Sequence, residues 1–508
     1  MLTHLTQYLD KSVISHHDRT AVICGEQKIS FFELAKYSKK LAYVIIGQIN
    51  ANINQPIAVL MEKSIGSVIA DIAILYSGNA YMNLDVKAPK QRIDNIINHI
   101  KPALVITDNK NENVVIDTLP KDKIFNIDLL EYDSISSSDE LLYERLRKLI
   151  SVDPSCIINT SGSTGIPKGV VLNHLSFIDF TEWAIETLKI GDNEIIGSLS
   201  PTIFDIYSFE LCMLMAKGSA IVIIPDKMAA FPASILQLMN SRRVSFIFWV
   251  PTIMVNIANM SLLDKIAVPD LKTVWFAGEV FPTRQFNIWK KYLPDTRFIN
   301  LYGPIEITLD CTYFIINRDF RDDEPIPIGF PCNNTDVLIL NNDDKPANIN
   351  EEGELCVRGV SLAMGYYNSP DKTASAFVQN PLNGSYPELI YRTGDIVYKN
   401  ELGEIIYKGR KDTLIKHLGY RIELGEIEHI IVNALKLVNN GCATYDDIKK
   451  EIAFFYEKTD DASDINFKTL LVEVMPKYMI PARYIPLNEL PRNSNGKIDR
   501  LLLKQRLL

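Results

Sequence analysis

The sequence has no C-x-x-C pair, and its seven scattered cysteines are odd in number. That excludes a disulfide framework and fits a reducing compartment. No apolar run is long enough to cross a bilayer; the longest, around residues 65–76, is short and interrupted. There is no basic surplus either. Lys and Arg total 53 against 62 Asp and Glu, and the net charge of −9 argues against a nucleic-acid or anionic-membrane surface. The opening Met1-Leu-Thr-His-Leu-Thr lacks the basic segment and apolar core of a signal peptide. None of His16, His17, His174 or His417 has metal-ligand spacing. The Walker A pattern and the motifs of serine hydrolases and Rossmann units are missing. What is left is a cytoplasmic, enzyme-sized protein. Its 508 residues suggest two to four domains, and 47% hydrophobic with 23% charged residues is ordinary for a sizeable globular core.

The stretch Asn159–Gly169 is the most informative, reading N-T-S-G-S-T-G-I-P-K-G. A strand-like run, residues 155–159, leads into it. Gly162, Gly165 and Gly169 permit close approach of the backbone to a ligand. Main-chain N–H groups and the hydroxyls of Thr160, Ser161, Ser163 and Thr164 can then line a concave anion site, with Lys168 a compact cation beside it. A flexible linker is the alternative reading. A linker, however, does not carry I-P-K-G and re-enter an apolar strand at residues 170–172.

Around this loop helical and strand periods alternate. Residues 31–44, 64–76, 176–188, 205–215 and 233–240 have helical spacing, whereas 57–61, 103–107, 220–225, 245–250, 273–277 and 298–301 read as short buried strands. The alternation predicts an α/β fold of parallel sheets covered by helices, with ligands at the carboxyl ends of strands. Phe276-Ala-Gly-Glu279 and Asn300-Leu-Tyr-Gly-Pro304 sit where two such strands end. From residue 336 to about 410 short strands and turns predict a β-rich subdomain. The remainder mixes strands with a helix predicted over 426–436, an α+β region.

The phosphate-type loop resembles that of the adenylate-forming enzymes: acyl-CoA synthetases, luciferases and the adenylation domains of nonribosomal peptide synthesis. The likeness extends through residues 197–218, Asn300-Leu-Tyr-Gly-Pro-Ile-Glu306, Tyr391-Arg-Thr-Gly-Asp395, residues 409–428 and Pro491-Arg-Asn-Ser-Asn-Gly-Lys-Ile-Asp-Arg500. Their order and spacing are similar to those of a free-standing amino-acid adenylation domain, and Ala277-Gly-Glu-Val-Phe-Pro282 is similar to the D-alanine and L-proline carrier-protein ligases. The resemblance implies a large N-terminal domain, 1–411, and a small mobile C-terminal domain, 412–508. Two departures stand out. Ile305 replaces the usual Thr of G-P-T-E, and Gly78-Asn-Ala-Tyr-Met-Asn-Leu-Asp85 replaces a Gly-Gly-Ala-Tyr-type run.

By the same resemblance, Thr160, Ser161, Gly162, Ser163, Thr164 and Gly165 grip the ATP phosphates beside Lys168. Glu306 holds Mg²⁺, a hard cation suited to carboxylate and phosphate oxygens. Tyr302 packs on the adenine, with Gly278, Glu279 and Asn300 along its edge and Leu301, Gly303, Pro304, Ile305 and Tyr407 completing the nucleotide site. Asp395 accepts the ribose hydroxyls, Arg410 approaches ribose or phosphate, and Lys497 bridges the substrate carboxylate and the α-phosphate. Asp412 is the hinge that withdraws Lys497 and brings residues 419–423 to the site for thioester formation. Asp205 pairs the α-ammonium of an amino acid, because a buried carboxylate needs a cationic partner. Ile206, Phe209, Phe248, Trp275, Ala277, Leu301, Leu309 and Asp310 line the rest of the pocket. Three large aromatics leave room only for a small side chain, serine-like first, then alanine, glycine or proline.

Each residue also has an ordinary reading. Asp205 suits a helix N-cap, Tyr302, Phe248 and Trp275 suit core packing, Asp395 suits a turn and Lys497 a solvated loop. The function expected is ATP- and Mg²⁺-dependent formation of an aminoacyl-AMP. Transfer goes to the phosphopantetheine thiol of a separate carrier protein, since only eight residues follow Arg500. An acyl- or aryl-CoA ligase is the alternative, disfavoured by Asp205; an inactive nucleotide-binding homologue is disfavoured by the intact loop, Glu306, Asp395 and Lys497.

Overall fold

A computed structural model describes residues 2–49, 52–136, 138–160, 167–411, 414–458, 465–492 and 498–507. Ser161, Gly162, Ser163, Thr164, Gly165, Asp412 and Lys497 lie outside the described residues. The chain divides into two compact units. The first comprises Met1–Val86, Pro102–Ile158 and Val170–Gly409, the second Lys87–Lys101, Asn159–Gly169 and Arg410–Leu508.

Apolar runs such as Phe246-Ile-Phe-Trp249 and Thr273-Val-Trp-Phe276 bury every side chain, the signature of strands covered on both faces. They lie side by side in a nine-stranded sheet. From one edge its order is Phe330–Pro331, Thr312–Ile315, Arg297–Tyr302, Thr273–Phe276, Phe246–Trp249, Ile195–Ser198, Ala220–Ile223, Thr20–Cys24 and Gln27–Ser30. The strands from Arg297–Tyr302 to Thr20–Cys24 run parallel, with antiparallel strands at both edges. A seven-stranded sheet contains Ala80–Asn83 between Pro154–Thr160 and Pro56–Leu60, again parallel. The expected β-rich region is an antiparallel sheet built on Thr335–Leu340, Gly353–Gly359 and Leu389–Lys399.

One core joins residues of the two parallel sheets, among them Ile57, Val59 and Tyr81 with Val22, Phe248 and Trp275. Two helices are submerged in it. In Ile65–Tyr76 every residue from Ser67 onward is buried, and in Asp205–Lys217 every residue from Ile206 to Met215. A helix that is buried all round has no polar face to orient it, so its polar side chains must be satisfied inside the protein. Ser64 starts the first helix by accepting the Ser67 amide. Gly218, left-handed at φ +62°, ends the second.

In the second unit, Leu414–His417 pairs with Tyr420–Glu423, and Gly441–Asp446, Glu451–Glu457 and Arg483–Leu487 form a three-stranded sheet. The helix predicted over 426–436 is instead an α-helix, Leu424–Glu428, followed by a wider π-turn, His429–Ala434. Ile427, Ile430 and Ile431 all reach a core that includes Tyr445, Phe454 and Phe467. Their i, i+3, i+4 spacing is that of one face of a regular helix, so the wide turn keeps the inward face a helical period sets. The seven cysteines are unpaired, Cys24 half-buried and the other six buried. Among the described residues no helix is long and apolar enough to cross a membrane.

Trp289 anchors a second core beneath the nine-stranded sheet, fully buried, with Nε1 donating to the Met254 carbonyl at 2.9 Å. Trp289→Ala is expected to lower the unfolding free energy by about 3–5 kcal/mol in a urea titration. A loss below roughly 1 kcal/mol would mean that the core closes over the gap.

Candidate active site

The parallel strands Phe246–Trp249, Thr273–Phe276 and Arg297–Tyr302 end together, and the segments that follow carry polar groups. Glu279 Oε2 accepts the Thr252 amide at 3.1 Å and the Thr252 hydroxyl, so it is fixed to the first turn of the helix Pro251–Asn259, where a carboxylate is favoured. Asn300 donates from Nδ2 to the Pro327 carbonyl at 2.8 Å.

Tyr302, the last residue of its strand, donates its phenol to Asp395 Oδ2. Tyr407 donates to Asp395 Oδ1 at 3.4 Å, and the Tyr302 and Tyr407 rings stand 6.2 Å apart. Asp395 is only 1% exposed, and its amide donates to the Thr393 hydroxyl at 3.0 Å. Burial, then the Asp395 charge, pushes the Tyr302 phenol well above its ordinary range. A buried carboxylate flanked by two phenols is a ready acceptor for vicinal hydroxyls.

Glu306 is fully buried, and Oε1 accepts the Tyr366 phenol at 2.8 Å. Its carbonyl accepts the Ala363 amide at 2.9 Å. Among the described residues no group of three or more His, Cys, Asp or Glu could hold a metal by itself. One hard carboxylate nevertheless fits Mg²⁺, which takes one or two carboxylates and completes its shell with phosphates and water. Ile305, half-buried, packs against the core. The turn after it is tight: Thr308 and Leu309 both have positive φ, 51° and 68°. A Cβ on Gly303 would lie 2.2 Å from the Leu309 carbonyl oxygen and 2.5 Å from the Asp310 Cα, so only glycine fits there.

The residues expected to enclose a substrate side chain do converge. Phe209 stacks on Trp275 with ring centres 5.3 Å apart, and Phe248 stands edge-on to both, at 5.9 and 5.6 Å. All three are fully buried in one core with Ile206, Ala277, Leu301 and Leu309. Trp275 Nε1 has no hydrogen-bond partner. Phe204, not Asp205, is the N-cap of Asp205–Lys217, which corrects the cap reading. Asp205 is the first helical residue, half-buried, with Oδ1 accepting the Ile206 amide at 3.0 Å. Asp310 is 3% exposed, and its carbonyl accepts from the Cys332 thiol at 3.7 Å.

In the second unit, Thr160 is buried at the end of its strand, Lys168 pairs with Glu423 at 2.8 Å, and Arg410, half-buried, closes the strand Ile405–Arg410. Sequence reasoning missed Thr252, Tyr366 and Thr393, which hold Glu279, Glu306 and Asp395, and the walls Phe180 and Phe246. Hydroxyl partners of known acids carry no local motif. Phe180 was visible only as one residue of a helical period.

The family described as "AMP-binding enzyme" matches residues 9–367. The chain therefore belongs to the AMP-binding enzyme family, and it is an adenylate-forming ligase of the nonribosomal adenylation type. It is 30% identical to zwittermicin A synthase ZmaJ of Bacillus cereus, over 99% of this chain and 95% of that protein. It spans 44% or less of the longer synthases that it also matches. Among solved structures, the Vibrio cholerae adenylation domain AlmE in complex with glycyl-adenosine-5′-phosphate has a TM-score of 0.84 at 20% identity, covering 100% of this chain and 98% of that one. Holo-PA1221, a protein with adenylation and PCP domains, has a TM-score of 0.82 at 20% identity, covering 99% and 84%. Likeness at that identity shows the shared fold.

Gly303→Ala is expected to destabilise the protein by about 1–3 kcal/mol, the cost of forcing backbone apart. A thermal melt checks this, and an unchanged melting temperature would mean that the 303–310 turn relaxes freely.

Proposed function

We propose that the protein activates a small amino acid as aminoacyl-AMP and passes it to the phosphopantetheine thiol of a separate carrier protein. The observation that carries this reading is the aromatic box of Phe209, Phe248 and Trp275 on the helix and strands next to Asp205. Fully buried rings leave little volume, and the half-buried carboxylate at the start of the helix suits an ammonium group. Trp275 Nε1, a buried donor with no partner, favours a side chain that brings an acceptor, which keeps serine ahead of alanine, glycine and proline.

In the first step a carboxylate oxygen of the amino acid attacks the α-phosphorus of ATP, and the bond to the bridging oxygen of pyrophosphate breaks. The phosphates lie along Thr160, Ser161, Gly162, Ser163, Thr164 and Gly165, with Lys168 beside them. Tyr302 packs on the adenine with Gly278, Glu279 and Asn300 at its edge. Asp395 takes the ribose hydroxyls, which replace the phenols of Tyr302 and Tyr407 as its donors. Mg²⁺, when bound, neutralises charge on the phosphate oxygens, and Glu306 is the residue that would hold it. Lys497 and Arg410 supply cations where charge grows in the transition state. In the second step the carrier thiolate attacks the acyl carbon and AMP leaves, after rotation about Asp412 has withdrawn Lys497. A lid or domain movement of that kind lets one pocket serve two reactions.

Amino-acid-dependent exchange of labelled pyrophosphate into ATP tests the reading, with serine, alanine, glycine and proline the strongest of the amino acids. Exchange supported only by fatty or aryl acids would move the protein to the CoA ligases. Asp205→Ala is expected to weaken amino-acid binding by about 1–3 kcal/mol, below the 3–5 of a fully buried pair because Asp205 is half-buried. Nucleotide affinity should be unchanged. Lys497→Ala should slow adenylation by about 10²–10³-fold and spare transfer from supplied aminoacyl-AMP. Equal loss in both half-reactions would assign Lys497 a structural role.

A further inference from the structure

Beneath the amino-acid pocket lies a carboxyl group that the reaction does not use. Asp71 sits in the middle of the submerged helix Ile65–Tyr76, fully buried, and Oδ2 accepts two hydrogen bonds. One comes from the Tyr207 phenol at 2.8 Å, the other from Asn83 Nδ2 at 3.2 Å. The two remaining oxygens, Asp71 Oδ1 and Asn83 Oδ1, are buried and have no partner. An ionised Asp71 would leave both as unsatisfied acceptors, a costly arrangement in a dry core. A single proton on Asp71 Oδ1, donated to Asn83 Oδ1, satisfies both at once. It closes a two-bond ring between a carboxylic acid and an amide, with the Nδ2–Oδ2 contact as the other arm.

The surrounding charges do not offer an alternative. On the helix Asp205–Lys217 Tyr207 bonds Asp71 and has Glu210 on its other side; on the strand Ala80–Asn83 Tyr81 lies near both Asp71 and Cys156 of Pro154–Thr160. Lys63, the one cation in this cluster among the described residues, lies over the Tyr207 ring but pairs with Glu210 at 3.5 Å and donates to the Ser200 carbonyl at 2.7 Å. Burial pushes the Asp71 carboxyl up to about 7, against the pull of Tyr207 and Asn83.

Tyr207 is two residues from Asp205 and two from Phe209, and its neighbour Ser208 accepts the Tyr81 phenol at 2.7 Å. Strand Ala80–Asn83 and helix Ile65–Tyr76 thus hold the first turn of the pocket helix through two hydrogen bonds. We infer that Asp71 is held as a neutral acid paired with Asn83, and that through Tyr207 it is a positioning residue for the amino-acid pocket. This rests on the amino-acid reading above. Loss of the proton sets Asp71 Oδ1 against Asn83 Oδ1 and turns the carboxylate away from Asn83. The Tyr207 phenol, held more tightly by an ionised acceptor, moves with it and shifts Asp205 and Phe209.

The native state keeps a proton that the unfolded chain releases near 3.8, so stability falls as pH rises from about 4 through about 7 and is level above. Asp71→Asn reproduces the neutral pair, because an amide on residue 71 still donates to Asn83 Oδ1 and still accepts from Asn83 and Tyr207. In the full-length protein the amino-acid KM in pyrophosphate exchange should be equal for wild type and Asp71→Asn at pH 6. At pH 8.5 it should rise about fivefold for wild type alone, the scale of one lost hydrogen bond. The melting temperature of Asp71→Asn should exceed that of wild type by a wider margin at pH 8.5 than at pH 5. An infrared difference spectrum, wild type minus Asp71→Asn at pH 6, should contain the carbonyl band of a protonated acid. Tyr207→Phe should raise the KM at every pH and keep that band. The inference is overturned by a missing acid band, by an alkaline rise in KM that persists in Asp71→Asn, or by an unchanged KM in Tyr207→Phe. If no amino acid supports exchange, the functional reading fails, and the infrared band and the melting profile alone decide whether Asp71 is neutral.

Discussion

Submersion of the helix Asp205–Lys217 is the constraint on which the first unit depends. A helix with no wet face cannot leave a hydroxyl, phenol or carboxylate to solvent, so each must be answered from a neighbouring element. Tyr207 reaches Asp71, Ser208 receives Tyr81, and Glu210 receives Ser198 and Lys63. Those contacts set the rotation of the helix about its own axis. With the rotation set, Phe209 can meet Trp275 and Phe248 only on the side where the strands end. The aromatic box is thus a by-product of satisfying polar groups elsewhere on the same helix.

The cluster around Tyr302 and Glu306 joins separate sheets in a comparable way. Tyr302 belongs to the nine-stranded sheet and Asp395 to the antiparallel one, so their hydrogen bond fastens two sheets. Glu306 follows the strand that ends at Tyr302, and its partner Tyr366 lies at the edge of the seven-stranded sheet. Three sheets therefore meet around residues 302–306. Asp395 is therefore a structural joint, and any change to its two phenol contacts acts on the meeting of the sheets.

Much of this was legible in the sequence because the strongest signals are local. Short continuous apolar runs marked the parallel strands, and segment order marked the carboxyl ends at Ala277–Glu279 and Gly303–Glu306. The helix expected over 426–436 was not legible as it stands. A 3.6-residue period foresees that Ile427, Ile430 and Ile431 share the inward face, but not that the backbone after Glu428 widens into a π-turn. Asp205 has the composition of a cap, yet the chain enters the helix one residue earlier, at Phe204. Thr252 and Tyr366 were invisible because a hydrogen bond between distant segments leaves no spacing to read. Asp71 is the acid that interrupts the apolar run 65–76, and nothing local in the sequence points to its partner Asn83.

The burial of the cysteines has a consequence for chemical fidelity. Burial holds the thiols of Cys212 and Cys442 at about 12, and those of Cys156 and Cys332 are displaced in the same direction. A protonated, enclosed thiol is a poor nucleophile. An enzyme that generates a mixed anhydride faces a hazard of self-acylation, since its own sulfurs could intercept the activated acyl group. Keeping these four neutral and inside the core lowers that hazard.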